Sequence, residues 1–139
     1  MKKNIGLLLS FMIFSISIIG QNLNGKYIFQ SEINGITYDY GIIELEIKKD
    51  STYTFNAYFG HKSDLSSYLN WKKKSRNGVI KKKHGKKYWL IELLDEEEKM
   101  EIKITRNKII IYGHNSNFKK VKGMELKKTV TDNWYNSLL

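Results

Sequence analysis

The sequence predicts an all-β fold: an antiparallel up-and-down meander closed into a small barrel or a curved half-barrel, with a short C-terminal helix. Three observations lead there. Short segments alternate apolar and polar side chains between Gly, Asn, Asp and charged turn residues, which is the period of a strand with one buried face. Nine Tyr, six Phe and three Trp favour strands, because flat rings pack well on a pleated surface. No segment after residue 20 is long enough to supply the crossover helix that parallel strands require, so the strands pair through short turns. A two-sheet sandwich satisfies the same pattern and is the alternative.

At 139 residues there is room for one domain with one core. The chain has no Cys, which excludes disulfides, thiolate metal sites, a Cys nucleophile and a lipoprotein-type anchor. Lys2 and Lys3 precede an apolar run from Ile5 to Ile19 that ends on Gly20. This is the layout of a signal peptide, 1–20, so the protein is expected to be exported, periplasmic or secreted. Cleavage is placed after Gly20, with Ser17 as the fallback. The rival is an uncleaved anchor, but the run is shorter than the roughly 20 apolar residues a span needs. After cleavage no membrane span is expected, and 21–139 forms the barrel domain. The oligomeric state is left open.

The elements follow in order. Gly25 to Gln30 places Tyr27 and Phe29 on one face of a first strand. In Tyr38 to Lys48, Ile43, Leu45 and Ile47 point inward, whereas Glu44 and Glu46 face water. A turn over Lys49 to Ser51 leads to Thr52 to Tyr58, with Tyr53, Phe55 and Ala57 inward. Phe59 to Leu69 reads as a long loop or a short lid helix begun at Ser63 or Asp64, the kind of segment where binding functions sit. Asn77-Gly78 is a strong hairpin signal, and His84-Gly85 a weaker one. Tyr88 to Leu94 is expected to turn Trp89, Ile91 and Leu93 inward, and Lys99 to Thr105 to turn Met100, Ile102 and Ile104 inward. Lys108 to Tyr112, Phe118 to Val121 and Gly123 to Lys127 complete the strands. Thr131 or Asp132 caps the final helix, on which Trp134 and Leu138 share a face.

The least ordinary stretch is Trp71 to Lys87, which holds nine Lys or Arg and no acid. Outside it and the N-terminal pair Lys2 and Lys3, 13 basic residues face 14 acidic ones. With turns at Asn77-Gly78 and His84-Gly85, lysine would oppose lysine along two hairpins and occupy both faces of the sheet. Like charges directly opposite are destabilising, so the stretch is expected to be a rim or edge in water, far from the acids Glu92, Asp95 to Glu98 and Glu101. Lys72, Lys73, Lys74, Arg76, Lys81, Lys82, Lys83, Lys86 and Lys87 are the candidate anion-binding residues. An edge that merely blocks aggregation is the plainer reading.

The chain resembles the small exported lipocalin-like (calycin-type) β-barrel domains of Bacteroidetes-type bacteria. The resemblance is carried by GKY in the first strand, LEIKKDSTYTF over Leu45 to Phe55, Trp71 with Val79 and Ile80 after it, and NFKKV over Asn117 to Val121. It implies a barrel whose interior or mouth, lined by Tyr27, Phe29, Tyr53, Phe55, Trp71, Trp89 and Met100, holds a small apolar ligand.

The expected function is therefore an exported, non-enzymatic binding module with a basic hairpin edge at 71–87. The alternative is a domain with a filled barrel that interacts with a protein or an anionic polymer. Partners in view are a small apolar ligand, an acidic surface polymer or a lipid head group. Nucleic acid is disfavoured by export and by the few aromatics among the lysines. No cofactor or metal site is expected. Asp95 to Glu98 lacks the ligand spacing of a calcium loop, and His61, His84 and His114 show no zinc spacing. Catalysis would need the fold to join carboxylates such as Asp39 and Glu92, or to engage His61.

Overall fold

The computed structural model describes residues 23–95, 98–114, 116–130 and 133–138. Eight antiparallel strands succeed one another around a closed barrel. They are β1 (Gly25–Glu32), β2 (Tyr40–Ile47), β3 (Thr52–Gly60), β4 (Lys72–His84), β5 (Lys87–Glu92), β6 (Lys99–Thr105), β7 (Lys108–His114) and β8 (Lys120–Thr129). The half-barrel and sandwich alternatives fall away. The two short segments expected near the C-terminus are one strand, β8, kinked by an extra residue at Gly123 where the register with β7 shifts. A run of 3-10 turns, Lys62–Asn70, links β3 to β4, and a 3-10 turn, Trp134–Leu138, stands where the final helix is expected. Its expected caps Thr131 and Asp132, and the expected signal segment 1–20, lie outside the described residues. Among the described residues no helix is long and apolar enough to cross a membrane.

The inward phase of each strand builds the core. Tyr27, Leu45, Leu90, Ile102, Ile109 and Leu126 are fully buried against one another. Leu23 packs into the same cluster and takes a hydrogen bond from the Tyr27 hydroxyl at 3.3 Å, plugging one end of the barrel. At that end the connections are tight. In the β2–β3 turn, the Asp50 carboxylate accepts bonds from the Thr52 hydroxyl at 2.6 Å and the Thr52 amide at 3.1 Å. At the β4–β5 turn Gly85 adopts a φ of 56°, a conformation that favours glycine. Toward the opposite end, where the longer connections lie, the next interior layer of Phe29, Ile43, Phe55, Met100 and Met124 is only partly buried.

The outward phase is not uniformly wet. On β1 to β3, Ile28, Tyr40, Ile42 and Tyr58 are buried beneath Leu65 and Tyr68 of the Lys62–Asn70 segment, with Trp134 and Tyr135 alongside. Glu44, expected in water, is 4% exposed. Its carboxylate accepts a bond from the Tyr68 hydroxyl at 3.3 Å and lies 3.8 Å from Lys26 Nζ, so its charge is answered under the cover. The Tyr58 hydroxyl is pushed up to about 12, first by burial and then by the charge of Glu44.

The largest correction concerns the basic stretch. Asn77-Gly78 is no hairpin turn: it lies inside β4, a single strand of 13 residues. Here glycine serves a close approach. A Cβ at Gly78 would stand 1.9 Å from the Ile91 carbonyl oxygen and 2.8 Å from Tyr53 Cε1. Lysine therefore does not oppose lysine along β4. Lys72, Lys73 and Lys74 face Phe59, Tyr58 and Ala57 of β3, while Lys81 and Lys82 face Trp89 and Tyr88 of β5. The first half of β4 pairs only with β3, since β5 joins from Gly78 onward. Inward-phase Lys72, Lys74 and Arg76 thus reach the open end, and a charged strand can be part of a barrel wall. Gly78→Ala is expected to lower stability by about 1–3 kcal/mol through overpacking against the β5 backbone. Urea denaturation of the two proteins measures it, and a shift within error would contradict the close approach.

Candidate anion-binding face

Strand alternation divides the exterior in two. The β1–β3 side is covered; among the described residues the β4–β8 side is bare apart from the edge of β8 beside the Trp134–Leu138 turn. Its outward phase carries Lys81 and Lys83 from β4, Lys87 from β5, Lys99 and Lys103 from β6, Lys108 from β7, and Lys122 and Lys127 from β8. Lys87 stands opposite Lys103, and Lys108 opposite Lys127. The acids on these outward positions are Glu101 and Glu125. Lys83 Nζ lies 2.8 Å and Lys87 Nζ 3.9 Å from the Glu101 carboxylate, and Lys120 bonds to it as well. Lys108 and Lys122 meet Glu125 at 2.9 and 2.7 Å. Each carboxylate is shared by more than one ammonium, so positive charge remains in excess.

The titration behaviour follows from this crowding. Desolvation pushes the Glu101 carboxyl up, but hydrogen bonds from Lys120 and Lys83, with their charges, outweigh it and hold the group at about 2. Glu125 is held at about 2 by hydrogen bonds from Lys122 and Lys108. The charge of Lys120 is the main reason the Lys87 ammonium is pulled below its ordinary value, while the bond to Glu101 raises Lys120. Aromatic rings fill the gaps between charges: Lys83 and Lys99 each place an ammonium 4.7 Å from the Trp89 ring centroid, and Lys120 lies 4.4 Å from that of Tyr112.

The residues expected to bind anions divide into two groups. Arg76 is taken up by Glu98 at 3.0 Å and Glu92 at 3.9 Å, and Lys83 and Lys87 by Glu101. The acids therefore do reach the basic stretch, contrary to expectation, because β5 lies beside β4 in the barrel wall and β6 is the next strand beyond it. Lys72, Lys73, Lys74, Lys81, Lys82 and Lys86 are exposed and make no ion pair with a described residue. Alternation, singly along β6, β7 and β8, hides the remaining lysines of the face from any search for a basic run; projecting the outward phase of each strand onto its neighbours would have found them.

Of the residues expected to line the interior, Tyr27, Phe29, Tyr53, Phe55 and Met100 do so. Trp89 does not. The segment Tyr88 to Leu94 is apolar in both phases, and pairing of Tyr88 with Ile102 and Leu90 with Met100 selects the phase that leaves Trp89 outside, beneath two lysines. Trp71 belongs to the exterior cluster on β1–β3, its ring edge-on to Tyr40 at 6.5 Å.

Of the residues considered for catalysis, Asp39 and His61 are brought together, while Glu92 is held elsewhere. Asp39 lies 3.4 Å from His61 Nδ1 and accepts the Lys62 amide at 2.9 Å, the latter contact being the main cause of its lowered carboxyl value. Glu92 faces Arg76. His84 and His114 end β4 and β7.

Because Glu101 and Glu125 are held below their ordinary value of 4.5, their contribution to stability is present above about pH 4.5 and is lost as pH falls toward 2. Thermal melts from about pH 5 to pH 2 should show a falling midpoint, and Glu101→Gln should flatten part of that fall. An unchanged slope in the variant would show that the lysines do not hold Glu101 ionised.

A scan against protein-family models and searches of curated proteins and solved structures return no match for this chain.

Proposed function

We propose that this protein is an exported, non-enzymatic, lipocalin-like binding barrel that engages an anionic surface polymer through the outer face of β4 to β8. The supporting observation is that lysines from five consecutive strands share one uncovered face with the carboxylates of Glu101 and Glu125. Opposed pairs such as Lys87 with Lys103 are a standing electrostatic cost in the free protein. An acidic polymer lying across the strands relieves that repulsion along its length. Trp89 and Tyr112, set among the ammonium groups, offer flat surfaces for the less charged parts of such a chain.

The protein should be retained on a heparin column at low salt and elute progressively as salt rises, since exposed charges are screened over about 10 Å at 0.1 M. Replacing Lys81, Lys99 and Lys103 by Glu should abolish retention. Lys103→Glu also places an acid opposite Lys87, so the fold is not penalised. The same three reversals at Lys72, Lys73 and Lys74, on the overhanging half of β4, should reduce retention less. Equal losses from the two triple variants, or full retention by both, would remove the face from consideration, and failure of the unmodified protein to be retained at low salt would remove the polymer.

A further inference from the structure

The barrel closes on a short ladder. β1 and β8 pair only at Lys26 with Thr129, Tyr27 with Lys128 and Ile28 with Lys127, although β1 continues to Glu32 and β8 begins at Lys120. Beyond Ile28 the two strands part, and a cleft of about 570 Å³ lies where the next pairs would form. This volume falls within the roughly 300–1,000 Å³ of small-molecule sites. The Trp134–Leu138 turn forms a further wall of the cleft.

The chemistry of the lining is uneven. Ile28, Phe29, Val130, Trp134 and Leu138 supply apolar surface, and Val130 and Leu138 are 95% and 41% exposed. Phe29 also belongs to the partly buried interior layer, so the cleft extends inward between the separated strands. Its charged groups are Lys127, Lys128 and Glu125. Glu125 is already neutralised by Lys108 and Lys122. Lys127 makes no ion pair with a described residue, whereas the Lys128 ammonium is turned toward Gly25 and lies 5.9 Å from the Tyr27 ring centroid. The uncompensated charge at the cleft is therefore positive.

We infer that the cleft between β1, β8 and the Trp134–Leu138 turn binds an elongated amphiphile with an apolar body and an acidic head group. The body lies against Ile28, Phe29, Trp134 and Leu138, and the head group meets Lys127. Lys127 belongs to both this cleft and the polymer-binding face proposed above, but Ser137 and the apolar wall belong to the cleft alone, so a change at Ser137 lets either reading fail without the other.

Titration of the protein with dansyl-labelled undecanoic acid, and with the matching dansyl-labelled undecanol, tests the inference by the rise in dansyl emission. The acid should bind saturably at one site, about tenfold more tightly than the alcohol, the difference expected from one charge-assisted hydrogen bond. Ser137→Trp, which fills the cleft from an exposed position, should abolish binding of both probes while leaving thermal stability and heparin retention unchanged. Lys127→Gln should lower the affinity for the acid to that for the alcohol. The inference is overturned by an absence of saturable binding, by equal affinities in the unmodified protein, or by undiminished binding in the folded Ser137→Trp protein.

Discussion

Closure of the strand ring is the constraint on which the rest of this molecule depends. Once eight strands form a circle, every second residue of each strand must enter a shared space, and that space has to be filled from all sides. Tyr27, Leu45, Leu90, Ile102, Ile109 and Leu126 fill it from six strands. β3 and β4 contribute Tyr53 and the side-chain-free Gly78, and these two are matched, since the Tyr53 ring lies where a Gly78 side chain would begin. The remaining side chains are thereby committed to the exterior, which is why charge accumulates there in an ordered lattice.

The exterior is then partitioned by one short segment. The Lys62–Asn70 turns fold back over β1 to β3 and bury residues that alternation alone would leave wet. Trp134 reinforces this cover by donating its indole N–H to the Tyr68 hydroxyl at 3.3 Å, which in turn bonds to Glu44. The polar chain runs from the C-terminal turn through the cover to the barrel wall, so each member is satisfied where water is excluded. With that side occupied, the lysine-rich side is the broad surface that no described segment covers, so the molecule has one covered and one charged flank.

Much of this was legible in the chain, and the misreadings share a cause. Strands with a clean period of two, such as β2 from Glu44 onward and β6, reveal the right inward set because Leu45, Ile47, Met100 and Ile102 have polar neighbours to contrast with. Tyr88 to Leu94 offered no such contrast, and the phase was decided by long-range register with β6. Glycine at position 78 carried two incompatible local meanings, a turn or a contact, and only the proximity of Ile91 distinguishes them. The candidate site was half visible: the run Lys72 to Lys87 announced itself, but its extension through Lys99, Lys103, Lys108 and Lys122 exists only after neighbouring strands are laid side by side. Glu44 was read as solvent-facing because nothing in its own strand signals a cover supplied from residues 62–70.

The three pairs that join β1 to β8 also fix where the chain enters and leaves the ring. Lys26 and Thr129 are neighbours, so the first and last strands begin and end at the plugged end, beside Leu23. A tether or support attached ahead of β1 would hold the barrel by its base. The long connections would then point away from the support, and the lysine flank would stand as a side wall, accessible to filaments passing alongside rather than to a surface approached head-on.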